Sequence, residues 1–115
     1  MDSFSMVAAT GCYQFKINHS KTKDMGIGQW ITSPKFRVGQ HDWVIYYYPQ
    51  GDEKHNNGKY VSVYLELQRE FVDVTAEFGF ELLDKHGNVS PTTLKLLHHK
   101  FTSKKINSGL WDFFA

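Results

Sequence analysis

The stretch Phe36–Gly51, FRVGQHDWVIYYYPQG, decides how the rest of this chain is read. After Asp42 it runs Trp43-Val44-Ile45-Tyr46-Tyr47-Tyr48 without interruption. All six are β-branched or aromatic, the residue types that fit a pleated and largely covered surface. Gly39 precedes the run and Pro49-Gln50-Gly51 closes it, so turn chemistry brackets the element on both sides. The expectation is a strand buried on both faces, which requires further strands beside it.

Working outward, the flanking segments supply candidates. Before the run, Tyr13, Phe15 and Ile17 alternate with Gln14 and Lys16, as in a half-buried strand. His19–Gln29 reads as a polar loop, and its Gly26-x-Gly28 lacks the third glycine and the following helix of a phosphate-binding turn. Trp30–Ser33 and Phe36–Val38 are extended, and Pro34 between them marks an edge or a bulge because proline cannot donate to a ladder. After the run, Asp52–Lys59 reads as a loop too polar to bury.

Tyr60–Leu67, YVSVYLEL, alternates cleanly. Val61, Val63, Leu65 and Leu67 form the core face, while Tyr60, Ser62, Tyr64 and Glu66 point away from it. Val72–Leu83 forms a further strand with Val74, Ala76, Phe78, Phe80 and Leu82 in phase. A turn cluster follows at 84–88. Thr92–Phe101 has helix-forming leucines, but Thr92-Thr93 and its short length favour a strand. Lys104–Gly109 reads as loop and Leu110–Phe114 as a terminal strand, with Trp111 and Phe113 on one face. No long helical period or internal repeat occurs, so the fold class is an all-β antiparallel sandwich of about seven strands in one domain.

Composition narrows the function classes. The chain has 115 residues, 41% hydrophobic and 16% aromatic, enough aromatics both to pack a core and to line a surface. Net charge is +1 with the basic residues scattered, which gives no footprint for nucleic acid. The single cysteine, Cys12, allows no internal disulfide or thiolate zinc cluster and fits a reducing compartment. Residues 1–10 read as a polar leader without the basic and apolar regions of a signal peptide, and no apolar run reaches the ~18 residues of a membrane span. Asn18-His19-Ser20 and Asn88-Val89-Ser90 match the glycosylation pattern by chance in that setting. The expected location is the nucleus or cytoplasm.

Catalysis is not expected. His98-His99 are adjacent, and on a strand they point to opposite faces and cannot share a metal. The ligand spacings of metal sites and the glycine-bracketed serine of hydrolases do not occur, so no cofactor or metal is assigned. Outward tyrosine and tryptophan are the better lead, since they offer large amphipathic contact area at low rotamer cost. Tyr64 faces outward by alternation. Trp111 and Phe113 either join a binding surface or cap the end of the sandwich, and alternation leaves both open.

These residues together resemble a MATH domain (meprin and TRAF homology), most like the plant proteins that join such a domain to a BTB domain, the speckle-type POZ-like group. The resemblance runs from Gly11 to Phe114. It rests on Gly11-Cys-Tyr-Gln-Phe15, Phe36-Arg-Val-Gly39 with Asp42-Trp43, and Tyr48-Pro-Gln-Gly51. The segments Tyr60–Leu67, Val74–Phe78, Leu83-Asp84 with Gly87, and Trp111-Asp-Phe113 complete it.

What it implies is a TRAF-like sandwich that binds extended Ser/Thr-rich degron peptides along a sheet edge, with side chains entering an aromatic groove. In that family the domain captures substrates for a cullin-3 ubiquitin ligase, recruited through the BTB domain. Carried over by position, the groove falls on Tyr64, Phe78, His99, Trp111 and Phe113. Phe78 reads as core by alternation, and a bulge near Gly79 would reconcile the two readings. His99 stands where the family has a second tyrosine, and its titration near physiological pH would make binding pH-sensitive. Asp112 replaces the glycine of the family's Trp-Gly-Phe. Roughly four extra residues, by spacing, lie between Phe101 and Trp111, an ordinary tolerance for a loop. The resemblance also implies a final strand and a BTB domain beyond Ala115. On that reading the domain is C-terminally truncated, marginally stable and unable to recruit a cullin by itself. A glycan- or small-molecule-binding sandwich, or a degenerate domain without ligand, are the competing readings.

Overall fold

The computed structural model describes residues 11, 13–55, 58–68, 73–81, 86, 95–102 and 106–114. The leader (1–10), Cys12, the expected strand ends at 72 and 82–83, the turn cluster at 84–88 apart from His86, and the segment 92–94 lie outside them.

The order is α1 (His19–Thr22), β1 (Ile31–Thr32), β2 (Phe36–Val38), β3 (His41–Tyr48), β4 (Val61–Leu67), β5 (Val74–Phe80), β6 (Lys95–Phe101) and β7 (Asn107–Phe114). One sheet runs β1-β3-β4-β7, with β2 also paired to β3, and β5-β6 form a second. Every pairing is antiparallel. The fold is an all-β antiparallel sandwich.

The opening stretch is a hairpin plus the sheet's central strand. Phe36 pairs with Trp43 and Val38 with His41, leaving Gly39 and Gln40 as a two-residue turn. Both have positive φ, 62° and 65°, the mirror-image turn whose twist suits a hairpin. Pro34 sits where β1 and β2, both laid along one edge of β3, are out of step. Residues 33–35 there face only Val44 and Ile45, and Ser33 closes the gap by accepting Ile45 N–H on its Oγ at 2.9 Å. Burial on both faces holds at Trp43 and Val44, which are adjacent and therefore face opposite ways. Tyr46 and Tyr48 remain half-exposed.

The core lies between the sheets. Trp43, Tyr47, Val61, Val63, Leu65 and Leu67 meet Phe80, Phe101 and Phe113. Phe101 is fully buried, edge-on to Trp43 at 5.1 Å and beside Phe78 at 5.8 Å. The aliphatic face of β4 is thus the core face, as its alternation requires.

Several expectations need correction. Residues 13–18 form no strand. Phe15 and Ile17 pack on the core and Tyr13 stacks on Phe36 at 4.4 Å, so their alternation reflects side-chain facing without ladder pairing. His19–Thr22 is one helical turn, begun by Asn18, whose Oδ1 accepts the Ser20 N–H at 3.0 Å. Residues 107–109 belong to β7, because they pair with Glu66, Leu65 and Tyr64 in that order. Finally, β5 and β6 stay in one register from Val74↔Phe101 to Phe80↔Lys95, so no bulge lies at Gly79.

The bulge is in β7. Between Val61↔Phe114 and Val63↔Leu110, the single residue Ser62 opposes Trp111, Asp112 and Phe113. Facing breaks down inside it: Trp111 is 37% exposed and Phe113 only 6%. The expectation that they share a face fails for that reason.

Candidate functional site

The outer face of the larger sheet carries the chemistry. Cross-strand partners share a face, so Tyr46↔Tyr64 and Tyr48↔Ser62 place Tyr46, Tyr48 and Tyr64 together on the side away from the core. Tyr48 meets Tyr64 edge-on at 5.7 Å and 83°. Trp30, 52% exposed, leans on Tyr46 and Tyr48 at 6.1 and 5.9 Å.

A loop folds back over this face. Tyr48-Pro49-Gln50-Gly51 turns with Gly51 N–H donating to Tyr48 O at 3.1 Å, and Gly51 takes φ 87°, a conformation natural to glycine. That turn sets Asp52 above Ser62. Asp52 N–H donates to Ser62 Oγ at 3.0 Å, and the Ser62 hydroxyl donates to the Trp111 carbonyl at 2.7 Å. Ser62, although on the outer face, is therefore fully buried.

Asp52 is the hub, and at 8% exposure it is the exception to the reading of residues 52–59 as too polar to bury, while 53–55 and 58–59 are exposed. Its carboxylate accepts the Tyr64 hydroxyl, the His55 N–H at 2.8 Å, and His55 Nδ1 at 3.0 Å when that nitrogen carries the proton. A buried carboxylate is tolerable because these donors satisfy it. Burial alone would raise its pKa, but hydrogen bonds from Tyr64 and His55 outweigh that and hold it below the ordinary value. Tyr64 moves the other way, far above its usual value, through burial first and then its bond to the Asp52 carboxylate.

Pinned by Asp52, the His55 ring stacks on Trp111 at 5.7 Å and 15°, and Tyr60 meets the same indole edge-on at 5.6 Å. Tyr46, Tyr48, Asp52, Lys54, His55, Tyr64 and Asn107 enclose an open cleft of about 270 Å³.

The five residues assigned from sequence divide into two groups. Tyr64 and Trp111 belong to this outer assembly, joined through Asp52, His55 and Ser62. Phe78 is half-buried against Phe80 and Phe101, His99 meets Phe101 at 4.6 Å, and Phe113 is buried against Phe80 at 6.1 Å. Those three line the interior side. Sequence reasoning missed Tyr46, Tyr48, Asp52 and His55. Alternation within β3 could have found the two tyrosines, since they are in phase with each other and opposite Trp43 and Tyr47. Nothing local marks Asp52.

The MATH domain family model matches residues 12–115. This chain belongs to the MATH domain family. The MATH domain here is 42% identical over 78 residues to BTB/POZ and MATH domain-containing protein 4 of Arabidopsis thaliana, covering 67% of this chain and 17% of that protein. It is equally similar, 42% over 78 residues, to protein 5 of the same series, and 40% identical to protein 6, over 19% of each relative's length. The chain thus spans less than a fifth of the relatives it matches. Among its described residues no helix is long and apolar enough to cross a membrane.

Proposed function

We propose that this MATH domain is a protein-interaction module that holds an extended peptide against the outer aromatic face, with Tyr64 and Trp111 as its anchors. The observation that carries the reading is the open cleft beside an exposed, braced indole. Trp111 is fixed by His55 and Tyr60 through ring contacts and by Ser62 through its carbonyl. An aromatic side chain ordered before the ligand arrives loses little entropy on binding, which is what makes a hot spot.

Membership of the family, and relatives named for both BTB/POZ and MATH domains, support the finer reading. In it the ligand is a Ser/Thr-rich degron and the domain selects substrates for a cullin-3 ubiquitin ligase in the nucleus or cytoplasm, the cullin being engaged through a BTB domain. Catalysis has no part in this role. Phe78, His99 and Phe113 then support the sheet from the interior side, Phe113 buried and the other two half-buried.

The test is fluorescence anisotropy with a labelled Ser/Thr-rich peptide against the chain and its Trp111→Ala and Tyr64→Ala variants. Each variant is expected to lose about tenfold or more in affinity, as truncation of an aromatic anchor does, with the circular dichroism spectrum retained. Unchanged affinity in both variants contradicts the assignment. A response to a glycan library with none to peptides would favour the sugar-binding reading, since the same rings could stack on sugars.

A further inference from the structure

The cleft beside Trp111 has a charge as well as a shape. At about 270 Å³ it is smaller than the ~300–1,000 Å³ typical of small-molecule pockets, and is of the size that takes a side chain or two. Its walls are the rings of Tyr46, Tyr48 and Tyr64, with Trp30 extending them along β3.

Around the rings stand carboxylates. Asp52 lines the cleft directly. Glu66 lies on the same face of β4, two residues from Tyr64, and interacts with the Tyr46 hydroxyl. Asp112 stands in the β7 bulge opposite Ser62, two residues along β4 from Tyr64. The proton affinities of Tyr46, Tyr48 and Tyr64 all rise, through burial first and then through these carboxylates. Lys54 is the opposing fixed charge among the lining residues, exposed at the rim. Asp52 in the cleft wall and Glu66 on the adjoining face, paired across to the lining Asn107, set carboxylates beside the rings, with Lys54 out at the rim, and the ring faces add their own negative quadrupole.

We infer that the cleft formed by Tyr46, Tyr48 and Tyr64 receives one basic side chain, lysine or arginine, of the bound peptide. This inference rests on the peptide-binding reading above and names what the ligand must carry. An aromatic wall with carboxylates behind it holds a cation through its ring faces and its field together, and a neutral aliphatic chain of the same length gains only the packing. Asp52 supplies field more than contact, because its oxygens already accept from Tyr64 and His55. Glu66 and Asp112 are the carboxylates that can be neutralised without dismantling that hub.

The experiment compares peptides identical except at one position, scanned along a Ser/Thr-rich sequence, bearing lysine, arginine, norleucine or glutamate. At one register the lysine and arginine peptides are expected to bind about five- to tenfold more tightly than the norleucine peptide. The advantage should shrink in the Glu66→Gln/Asp112→Asn double variant and in raised salt. Tyr48→Leu should bring the lysine and norleucine affinities together, since it removes one of the ring faces. Equal affinities for lysine and norleucine at every register overturn the inference. So does tighter binding of the glutamate peptide that is lost in Lys54→Ala, which would make the cleft an anion site. In either case a Trp111-dependent norleucine complex leaves the peptide-binding reading standing. Loss of all peptides' binding overturns both.

Discussion

At the scale of single residues, the candidate site is organised by the bond between Tyr64 and Asp52, and its two members shift in opposite directions. Asp52 is depressed below its usual 3.8, so its stabilising contribution is present above that pH and is lost as pH falls through the lower folded value. Tyr64 is raised above its usual 10.0, so its contribution is present below pH 10 and is lost as pH climbs toward the raised folded value. The stability difference between this chain and its Asp52→Asn variant is expected to be flat between those limits and to narrow on both sides, read as urea midpoints across pH. A difference that falls off steeply near neutrality would show that some other group controls the hub. In the Tyr64→Phe variant the nearly buried carboxylate loses a donor, at a cost of about 1–3 kcal/mol.

At the scale of elements, β7 shows how sequence periodicity and structure part company. Alternation placed Trp111 and Phe113 together, and it would have held in a regular strand. The bulge opposite Ser62 turns one outward and buries the other. The signal for it is non-local, because a bulge is defined by what the partner strand does. Just before the bulge, Gly109 lets the two backbones approach closely: a β-carbon there would stand 2.6 Å from the Tyr64 Cα and closer still to the Val63 carbonyl oxygen. Both neighbours are backbone and cannot swing aside. Gly109→Ala is therefore expected to cost at least the upper end of the ~1–3 kcal/mol typical of overpacking and to weaken peptide binding through Tyr64. A chemical-denaturation midpoint unchanged by this substitution would contradict the β4–β7 register.

At the scale of the whole molecule, the fold was legible because long-range and local preferences agree. The β3 run, the clean alternation of β4 and the phase of β5 all place apolar residues in one interior, where Phe101 is buried from every side. Short elements were less legible. The one-turn helix at His19–Thr22 rests on a capping side chain, and residues 13–18 have a strand's pattern without a strand's partner. The candidate site was half legible. Tyr64 follows from alternation and Trp111 from the resemblance to MATH domains, whereas Asp52 and His55 sit in a polar stretch whose importance depends on the Gly51 turn carrying it back over β4.

Ligand is expected to bind the outer face, around Tyr46, Tyr48, Tyr64 and Trp111, and not the side lined by Phe78, His99 and Phe113. Amide and indole chemical-shift mapping during titration with a Ser/Thr-rich, lysine-bearing peptide tests it most directly. The largest shifts are expected in β3, β4, the Asp52–His55 loop and the Trp111 indole, with β5 and β6 nearly silent. Shifts concentrated on β5 and β6, with the Trp111 indole unmoved, would contradict outer-face binding.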